Sequence, residues 1–246
     1  MIIRLGYVST AVSLWDSSPA KTVTYKTYSS LEEEARMEKL HSVTKVNLYN
    51  TLRMLYFNAA HEIEVYRLSS SIVPLATHPD VLWDFVSPFA REWREIGDFI
   101  KQKQMRVSFH PNQFTLFTSP ERRITENSVR DMAFHYRMLE ALGVEDSSYM
   151  NIHVGGAYGD KEASLARFYE NIRLLPLPMK KKMTLENDDK TYTAAETLSV
   201  CERIQVPFVF DYHHHAANPC AEPLDELLLR GFATWQNTGL PPKIHI

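Results

Sequence analysis

The chain has 246 residues, of which 44% are hydrophobic and 23% charged, and its formal net charge is −3. This composition is typical of a globular protein, and the length suits one α/β barrel or two smaller domains. The weakly acidic charge argues against sequence-independent coating of nucleic acid, although it leaves room for a local cationic or metal-lined groove.

Cysteine use and the N-terminus indicate the cellular setting. The two cysteines, Cys201 and Cys220, lack CxxC spacing, so we expect no disulfide framework. No run approaches the roughly 18 apolar residues of a membrane span. The first residues read as a strand and not as a signal peptide. We therefore expect a reducing cytoplasm and no membrane.

Strand and helix patterns alternate along the chain. Apolar runs predict seven strands, over residues 2–8, 63–68, 105–110, 149–154, 182–186, 207–211 and 242–246. Apolar residues three and four apart predict helices, over residues 40–60, 89–102, 125–142, 162–174, 194–204 and 224–229. Long loops are expected over 10–30 and 69–88. The alternation predicts parallel strands with helices outside, as an α/β barrel that forms a single domain over 1–246.

The strand count falls one short of a closed barrel. A barrel of this type has eight parallel strands, whereas the chain stops inside the seventh, at Ile246. Unpaired edges on the first and seventh strands would favour aggregation. We therefore expect a C-terminally truncated form that lacks the eighth strand.

Five predicted strands end in an imidazole or a carboxylate. These strand-end residues are His110, His153, Glu186, Asp211 and His245. The carboxyl ends of barrel strands meet at one rim, so we expect a single site there. Each histidine could instead be a hydrogen-bonded core residue, and Glu186 and Asp211 could cap the helices that follow. Isolated buried carboxylates are costly, so we favour a metal site of mixed nitrogen and oxygen ligands, suited to zinc, manganese or iron.

Two further residues belong with this set. The run Asp211-Tyr-His-His-His215 is expected in a loop, where His214 is the preferred ligand because it lies three residues from Asp211. Lys243 should share a strand face with His245. It could be a neutral amine, an ion-pair partner or a modified side chain. A register error of one residue would instead turn it away from the site.

Aromatic and amide side chains are expected just above this rim. Gln113 and Phe114 follow His110 in the run His-Pro-Asn-Gln-Phe, and Tyr7 ends the first strand. Such groups can wedge into a base stack or fill the gap left by extruded nucleotides. The alternative is that Tyr7 and Phe114 only anchor their loops.

With these residues in place, the chain resembles the UV damage endonuclease family. The runs that carry the resemblance span nearly the whole chain in order: Leu5-Gly-Tyr7, Tyr66-Arg-Leu-Ser-Ser70, Ala76-Thr-His-Pro79, Ser108-Phe-His-Pro-Asn-Gln113, Asn151-Ile-His-Val-Gly-Gly-Ala-Tyr158, Leu185-Glu-Asn-Asp188, Phe210-Asp211 with His214, and Pro242-Lys-Ile-His245. Their combination is specific to that family.

The resemblance implies a TIM-type (β/α)8 barrel with a cluster of three divalent metal ions, usually Mn²⁺, with Zn²⁺ or Mg²⁺ as the other candidates. The implied metal ligands are His110, His153, Glu186, Asp211, His214 and His245. The implied catalytic residues are Glu186, a carboxylated Lys243 and the loop histidine His78. Tyr7, Gln113 and Phe114 match the residues that probe a flipped-out pyrimidine dimer. Family members continue with a further metal-binding histidine and a bridging glutamate, so we expect a weakened cluster and little activity here.

The implied function is repair of UV-damaged double-stranded DNA by a monomer in the bacterial cytoplasm, associated with the nucleoid through DNA. The enzyme would nick the phosphodiester immediately 5′ to pyrimidine dimers and 6-4 photoproducts, leaving 3′-hydroxyl and 5′-phosphate ends. Three alternatives stay open: an abasic-site endonuclease, a metal-dependent sugar isomerase or epimerase, and a barrel that binds damaged DNA without cutting it.

Overall fold

A computed structural model describes residues 3–8 and 10–246, which form two compact units. The first unit contains the described residues up to 110 together with 134–148, and the second contains residues 111–133 and 149–246. The expectation of a single domain over 1–246 stays a prediction. None of the described helices combines the length and the apolar character needed to cross a membrane.

The first unit is a three-stranded parallel sheet with long helices. Its strands are β1 (Gly6–Val8), β2 (Val65–Arg67) and β3 (Arg106–Phe109). Its helices are α1 (Tyr25–Ser29), α2 (Glu33–Ala60), α3 (Ala90–Gln102) and the C-terminal part of α4 (Arg122–Leu142). The register aligns Tyr7 with Tyr66, and Tyr66 with Val107.

Helices α3 and α4 pack closely because a glycine lies between them. α3 buries Trp93, Ile96 and Ile100 along one face, at the three- and four-residue spacing of an amphipathic helix. A Cβ atom on Gly97 would lie only 1.8 Å from the carbonyl oxygen of Leu142. The short distance between the α3 backbone and Leu142 therefore excludes any residue larger than glycine at position 97.

The second unit is a four-stranded parallel sheet. Its strands are β4 (Tyr149–His153), β5 (Met183–Glu186), β6 (Phe208–Asp211) and β7 (Ile244–His245). Its helices, besides the start of α4, are α5 (Lys161–Asn171), α6 (Leu177–Lys181), α7 (Ala194–Ile204), α8 (Tyr212–Ala217) and α9 (Leu224–Ala233). Short 3-10 turns over Ser87–Phe89, Glu145–Ser147 and Ile172–Leu174 complete the two units.

Helix α7 illustrates how closely local signals fix an element. Thr193 and Glu196 form a reciprocal capping box at its N-terminus, and Gln205 adopts the left-handed conformation directly after its last residue. The apolar face between them buries Leu198 and Cys201. The predicted bounds of this helix are confirmed.

All seven predicted strands are present in the described residues, although most are shorter than predicted, and Ile2 of the first predicted strand lies outside the described residues. The helix predictions missed α1 and α6, and α2 begins earlier than expected, where glutamates occupy its first turn. The prediction of a loop after Asp211 was wrong. Residues Tyr212–Ala217 form α8 because the Asp211 side chain caps the helix. Cys201 and Cys220 are both free thiols, as expected.

Candidate metal centre

Four of the predicted ligands occupy the last positions of the four strands of the second unit. Backbone pairing sets His153 of β4 opposite Glu186 of β5, and Asp211 of β6 opposite His245 of β7. Because the strands are parallel, these side chains all lie at the carboxyl edge of this sheet. Four of the predicted strand-end residues thus share one edge of this sheet, and their role as a common site stays a prediction.

The carboxylate of Glu186 is buried and fully engaged, with 2% of the residue exposed. Its Oε2 accepts a hydrogen bond from Asn151, whose Oδ1 accepts another from the Thr184 hydroxyl at 2.7 Å. Its Oε1 lies 2.9 Å from Nδ1 of His245. The side chain therefore lies on the same face of the sheet as Asn151 of β4 and Thr184 of β5.

Glu186 does not cap α7, the helix that follows it, so the capping alternative does not hold for this residue. The helix that follows, α7, is capped instead by the Thr193 side chain together with Glu196. Within the connection, Asp188 accepts hydrogen bonds from the backbone N–H groups of Lys190 and Tyr192 at 2.9 Å each. Both oxygens of Glu186 contact strand side chains instead, Oε2 that of Asn151 and Oε1 that of His245.

Asp211 has a double role. Its Oδ1 accepts the N–H of His214 at 2.8 Å and caps α8, so the capping alternative is confirmed for this residue. Its Oδ2 lies 3.9 Å from Nδ1 of His214 and 3.7 Å from Nδ1 of His245. One oxygen thus fixes the helix while the other faces the histidines.

Two histidines present one ring nitrogen to a backbone carbonyl. Nδ1 of His153 lies 3.2 Å from the Glu186 carbonyl oxygen, and Nδ1 of His214 lies 2.8 Å from that of Asn187. A carbonyl only accepts, so Nδ1 carries the proton and the lone pair of the neutral ring is on Nε2. Metal-binding histidines are commonly oriented in this way.

His245 offers the most direct test of whether a metal ion fits here. Its Nδ1 faces the Glu186 carboxylate, whereas its Nε2 is buried and has no hydrogen-bond partner among the described residues. Buried polar atoms normally have a partner, and a divalent cation would supply one. The donor chemistry of the cluster therefore fits a metal ion.

A compact set of ligand atoms lies within this cluster. Glu186, Asp211 and His214 each contribute one ligand atom, and these atoms lie within 4.8 Å of one another. Imidazole nitrogen combined with carboxylate oxygen suits manganese, zinc or iron better than calcium. These residues could therefore hold a divalent transition-metal ion.

Lys243 directly precedes β7 and is half-buried. Lys243 lies before the paired residues of β7, and its place on the cluster side of the strand stays a prediction. The carboxylation of Lys243 stays a prediction.

His110 and His78 belong to the first unit. His110 follows the last residue of β3, and its carbonyl oxygen accepts the Ser70 hydroxyl at 2.6 Å. The His78 ring stacks on Tyr25 with centroids 4.0 Å apart, and its Nδ1 accepts the N–H of Asp80 at 3.2 Å. The ligand role of His110 and the catalytic role of His78 stay predictions.

Tyr7 is held against a helix. Its hydroxyl donates to Oδ1 of Asn58, a buried residue of α2, at 2.7 Å, and its ring lies 5.3 Å from that of Tyr66. Burial raises the pKa of the Tyr7 phenol, and the hydrogen bond to Asn58 partly offsets that rise. These contacts support the anchoring alternative, and a DNA-probing role of Tyr7 stays a prediction.

Phe114, unlike Tyr7, is largely exposed to solvent. Gln113 and Phe114 lie at the tip of the 111–118 loop, and Phe114 is 69% exposed. The backbone N–H of Phe114 donates to Oδ1 of Asn112 at 2.6 Å. An anchor would be buried, so the anchoring alternative does not hold for Phe114.

The loop behind this exposed tip is braced by side chains of α4 and α5. The Leu116 N–H donates to the Ser128 hydroxyl at 2.7 Å. The Asn171 amide donates to the carbonyl oxygen of Phe117, and Nε of Arg167 donates to that of Thr118, both at 2.8 Å. The backbone of residues 116–118 is thus held by hydrogen bonds, whereas Phe114 is largely exposed.

Sequence reasoning assigned no role to Asn187, the residue after Glu186. Its side-chain amide exchanges two hydrogen bonds with the backbone of Asp211, each 2.9 Å long. The only available signal was its place in the run Leu-Glu-Asn-Asp at the end of a strand.

The fold and the cluster are those of an α/β barrel protein with a candidate metal-binding group at the strand ends. The chain matches the family described as UV-endonuclease UvdE over residues 3–246. The UV DNA damage endonuclease of Bacillus thuringiensis subsp. konkukian (strain 97-27) is 60% identical to it over 246 residues, which make up 100% of this chain and 78% of that protein. The chain therefore belongs to the UV-endonuclease UvdE family.

Solved structures agree with this assignment. The crystal structure of SacUVDE superposes with a TM-score of 0.87 and 35% identity, over 96% of this chain and 78% of that chain. D-psicose 3-epimerase from Clostridium cellulolyticum H10 has a TM-score of 0.55 at 14% identity, over 73% of this chain and 63% of its own, and shows the fold alone. The predicted fold class, a TIM-type barrel with parallel strands, and the predicted family are confirmed.

Proposed function

We propose that this chain is a metal-dependent endonuclease that nicks double-stranded DNA immediately 5′ to UV photoproducts and leaves 3′-hydroxyl and 5′-phosphate ends. The observation that carries the proposal is the grouping of Glu186, Asp211 and His214, with ligand atoms within 4.8 Å of one another, in a chain of the UvdE family. The proposed enzyme acts as a monomer on DNA at the nucleoid.

The metal centre would be held by the ligands that the family resemblance implies. The proposed ligands are His110, His153, Glu186, Asp211, His214 and His245, with Mn²⁺ as the preferred ion and Zn²⁺ or Mg²⁺ as alternatives. A divalent ion bound there would polarise a phosphate oxygen and lower the pKa of a bound water.

The protein's own groups keep this site polar and negatively charged. The Glu186 and Asp211 carboxylates supply the charge, and Nδ1–H of His245 orients Oε1 of Glu186. A carboxylated Lys243 would add a further anionic oxygen, and His78 is the proposed loop residue at the reacting phosphate. These roles follow the family pattern residue by residue.

Recognition of the lesion is assigned to the 111–118 loop. We propose that Phe114 and Gln113 enter the gap left when the damaged dinucleotide leaves the stack. A distorted step costs less to unstack than an intact one, which would favour damaged sites. The exposure of Phe114 and the fixed backbone behind it support this role. Tyr7 is a weaker candidate because its hydroxyl is bound to Asn58.

The test is a single-turnover assay on an end-labelled duplex with one pyrimidine dimer, beside the undamaged duplex and an abasic one. With enzyme in excess and Mn²⁺ present, we expect a slow cut immediately 5′ to the dimer, with an end that a polymerase extends. Equal cutting of the undamaged duplex, or cutting of the abasic duplex alone, would contradict the proposal. Binding to the dimer without cutting would support the non-enzymatic alternative instead.

A further inference from the structure

We propose that Asn187 is a positioning residue of the metal centre, which holds both Asp211 and His214 in their metal-binding arrangement. The inference rests on the proposed metal-dependent function. Asn187 is itself no proposed ligand, and it acts through the two residues that are.

The side chain of Asn187 forms hydrogen bonds with the β6 backbone of the kind that a neighbouring strand would form. The register of β5 against β6 pairs Glu186 with Val209, so Asp211 lies two residues beyond this pair. There the Asn187 Nδ2 donates to the carbonyl oxygen of Asp211 and the Asp211 N–H donates to Oδ1, both at 2.9 Å. The amide thus continues the sheet pairing by one step and fixes the backbone from which the Asp211 carboxylate projects.

The backbone of the same residue orients His214. The Asn187 carbonyl oxygen lies 2.8 Å from Nδ1 of His214. This contact keeps the ring proton on Nδ1 and the lone pair on Nε2. One residue, fully buried, therefore fixes a carboxylate and an imidazole of the cluster together.

The connection after β5 keeps Asn187 itself in place. The next residue, Asp188, donates its N–H to the Tyr192 carbonyl oxygen at 3.1 Å, and its carbonyl oxygen accepts the Asn218 amide at 3.2 Å. Metal sites need their ligands held within about 0.5 Å, and residues that orient ligands typically change metal affinity 10- to 100-fold when lost.

The competing explanation is that Asn187 only ties two segments together for stability. Asn47 of α2 provides a matched control, because it is equally buried and also bridges backbone segments. Its amide donates to the carbonyl oxygens of Lys21 and Ile72 at 2.7 and 2.9 Å, and its Oδ1 accepts the Lys21 N–H at 2.9 Å. It lies in the first unit, whereas Asn187 lies in the second.

The experiment measures Mn²⁺ affinity and unfolding temperature of the metal-free chain and its Asn187→Ala, Asn187→Ser and Asn47→Ala variants. We expect all three variants to unfold at lower temperature. Only the Asn187 variants should bind Mn²⁺ more weakly, by about 10- to 100-fold. In the metal-free state, ¹⁵N spectra of the His214 ring should show one Nδ1–H tautomer in the wild type. Asn187→Ala keeps the carbonyl oxygen but frees its segment from the Asp211 backbone, so a mixture of tautomers is expected there. The serine variant serves as the reference where the alanine variant does not fold.

The outcomes separate this inference from the function on which it rests. Unchanged Mn²⁺ affinity in both Asn187 variants, or equal weakening in Asn47→Ala, would overturn the positioning role while leaving the metal centre intact. A wild-type chain that binds no Mn²⁺ would overturn the metal-dependent function itself.

Discussion

The proposed metal centre and the 111–118 loop of the second unit are built in opposite ways. In the metal centre the side chains are the fixed part: Glu186 is buried, and Asp211 and His214 are tied to their neighbours. In the loop the backbone is the fixed part, and the tip residue Phe114 is 69% exposed. A catalytic centre needs side chains that are held in place before the substrate binds. A residue that probes DNA needs a well-held backbone and an exposed side chain.

The same difference determines what a substitution should do. Changing a buried, charged side chain leaves its hydrogen-bond partners unpaired, which costs free energy because water cannot replace the lost contacts. Changing an exposed side chain removes only its contact with the substrate. Substitutions in the metal centre should therefore act on metal binding and cutting alike, and those in the loop on recognition of the lesion alone.

The largest effect is expected for Glu186→Gln. Glutamine keeps the shape and can still bond to Asn151 or His245, but it removes the negative charge that would face a metal ion. Cutting of dimer-containing DNA should fall by about a thousandfold, since the charge stabilisation supplied by a metal site is worth several kcal/mol. Single-turnover rates measure this. The matched control is Glu202→Gln, an exposed partner of Arg230 that should cut as the wild type does.

Phe114→Ala should have the next largest effect. Stacking of an aromatic ring on a base is worth about 1–3 kcal/mol, so cutting at a dimer should fall by about 10- to 100-fold. The Mn²⁺ affinity should stay unchanged because the ring touches no proposed ligand. Tyr49→Ala, which removes an exposed aromatic ring from α2, is the control. Equal losses in the two variants would contradict the assignment of the loop to recognition.

Loosening the base of the loop should have a smaller effect. Arg167→Gln removes the donor to the Thr118 carbonyl oxygen and the bond to the Ser164 hydroxyl. We expect faster amide hydrogen exchange over residues 112–118 and up to about a tenfold loss of cutting, as for one lost hydrogen bond of a charged group. Unchanged exchange in this segment would show that the brace is not needed.

The smallest effect on cutting is expected for Tyr7→Phe. The substitution removes the hydroxyl that donates to the buried Asn58 and should lower the free energy of unfolding by about 1–3 kcal/mol, because Oδ1 of Asn58 loses its donor. Cutting should stay near the wild-type rate if Tyr7 serves as an anchor. Chemical denaturation and the cutting assay measure the two quantities, with Tyr49→Phe as the control. A large loss of cutting without a loss of stability would contradict the anchoring role and support a DNA-probing role of Tyr7.

Sequence patterns predicted the elements whose signals are local. The strand ends at His153, Glu186, Asp211 and His245 follow short apolar runs, and α7 carries both of its caps in its own sequence. The register of the sheet then brings these strand ends together without further information.

The remaining features depend on contacts between distant parts of the chain. The anchoring of Tyr7 requires Asn58, 51 residues away, and the pairing of Asn187 with Asp211 requires the point at which β5 turns away from β6. Helix α8 escaped prediction because Asp211 was read as a ligand or a loop cap, whereas it serves a helix and the cluster together. Local periodicity carries no information on such contacts.

The most direct test of the account is a calorimetric titration of the metal-free chain with Mn²⁺, beside its Asp211→Asn variant. Asparagine keeps an oxygen that can cap α8 and removes only the charge. The account predicts saturable binding by the wild type and binding at least about tenfold weaker in the variant. Equal affinity in the two proteins, or no binding by either, would contradict a metal centre at these strand ends.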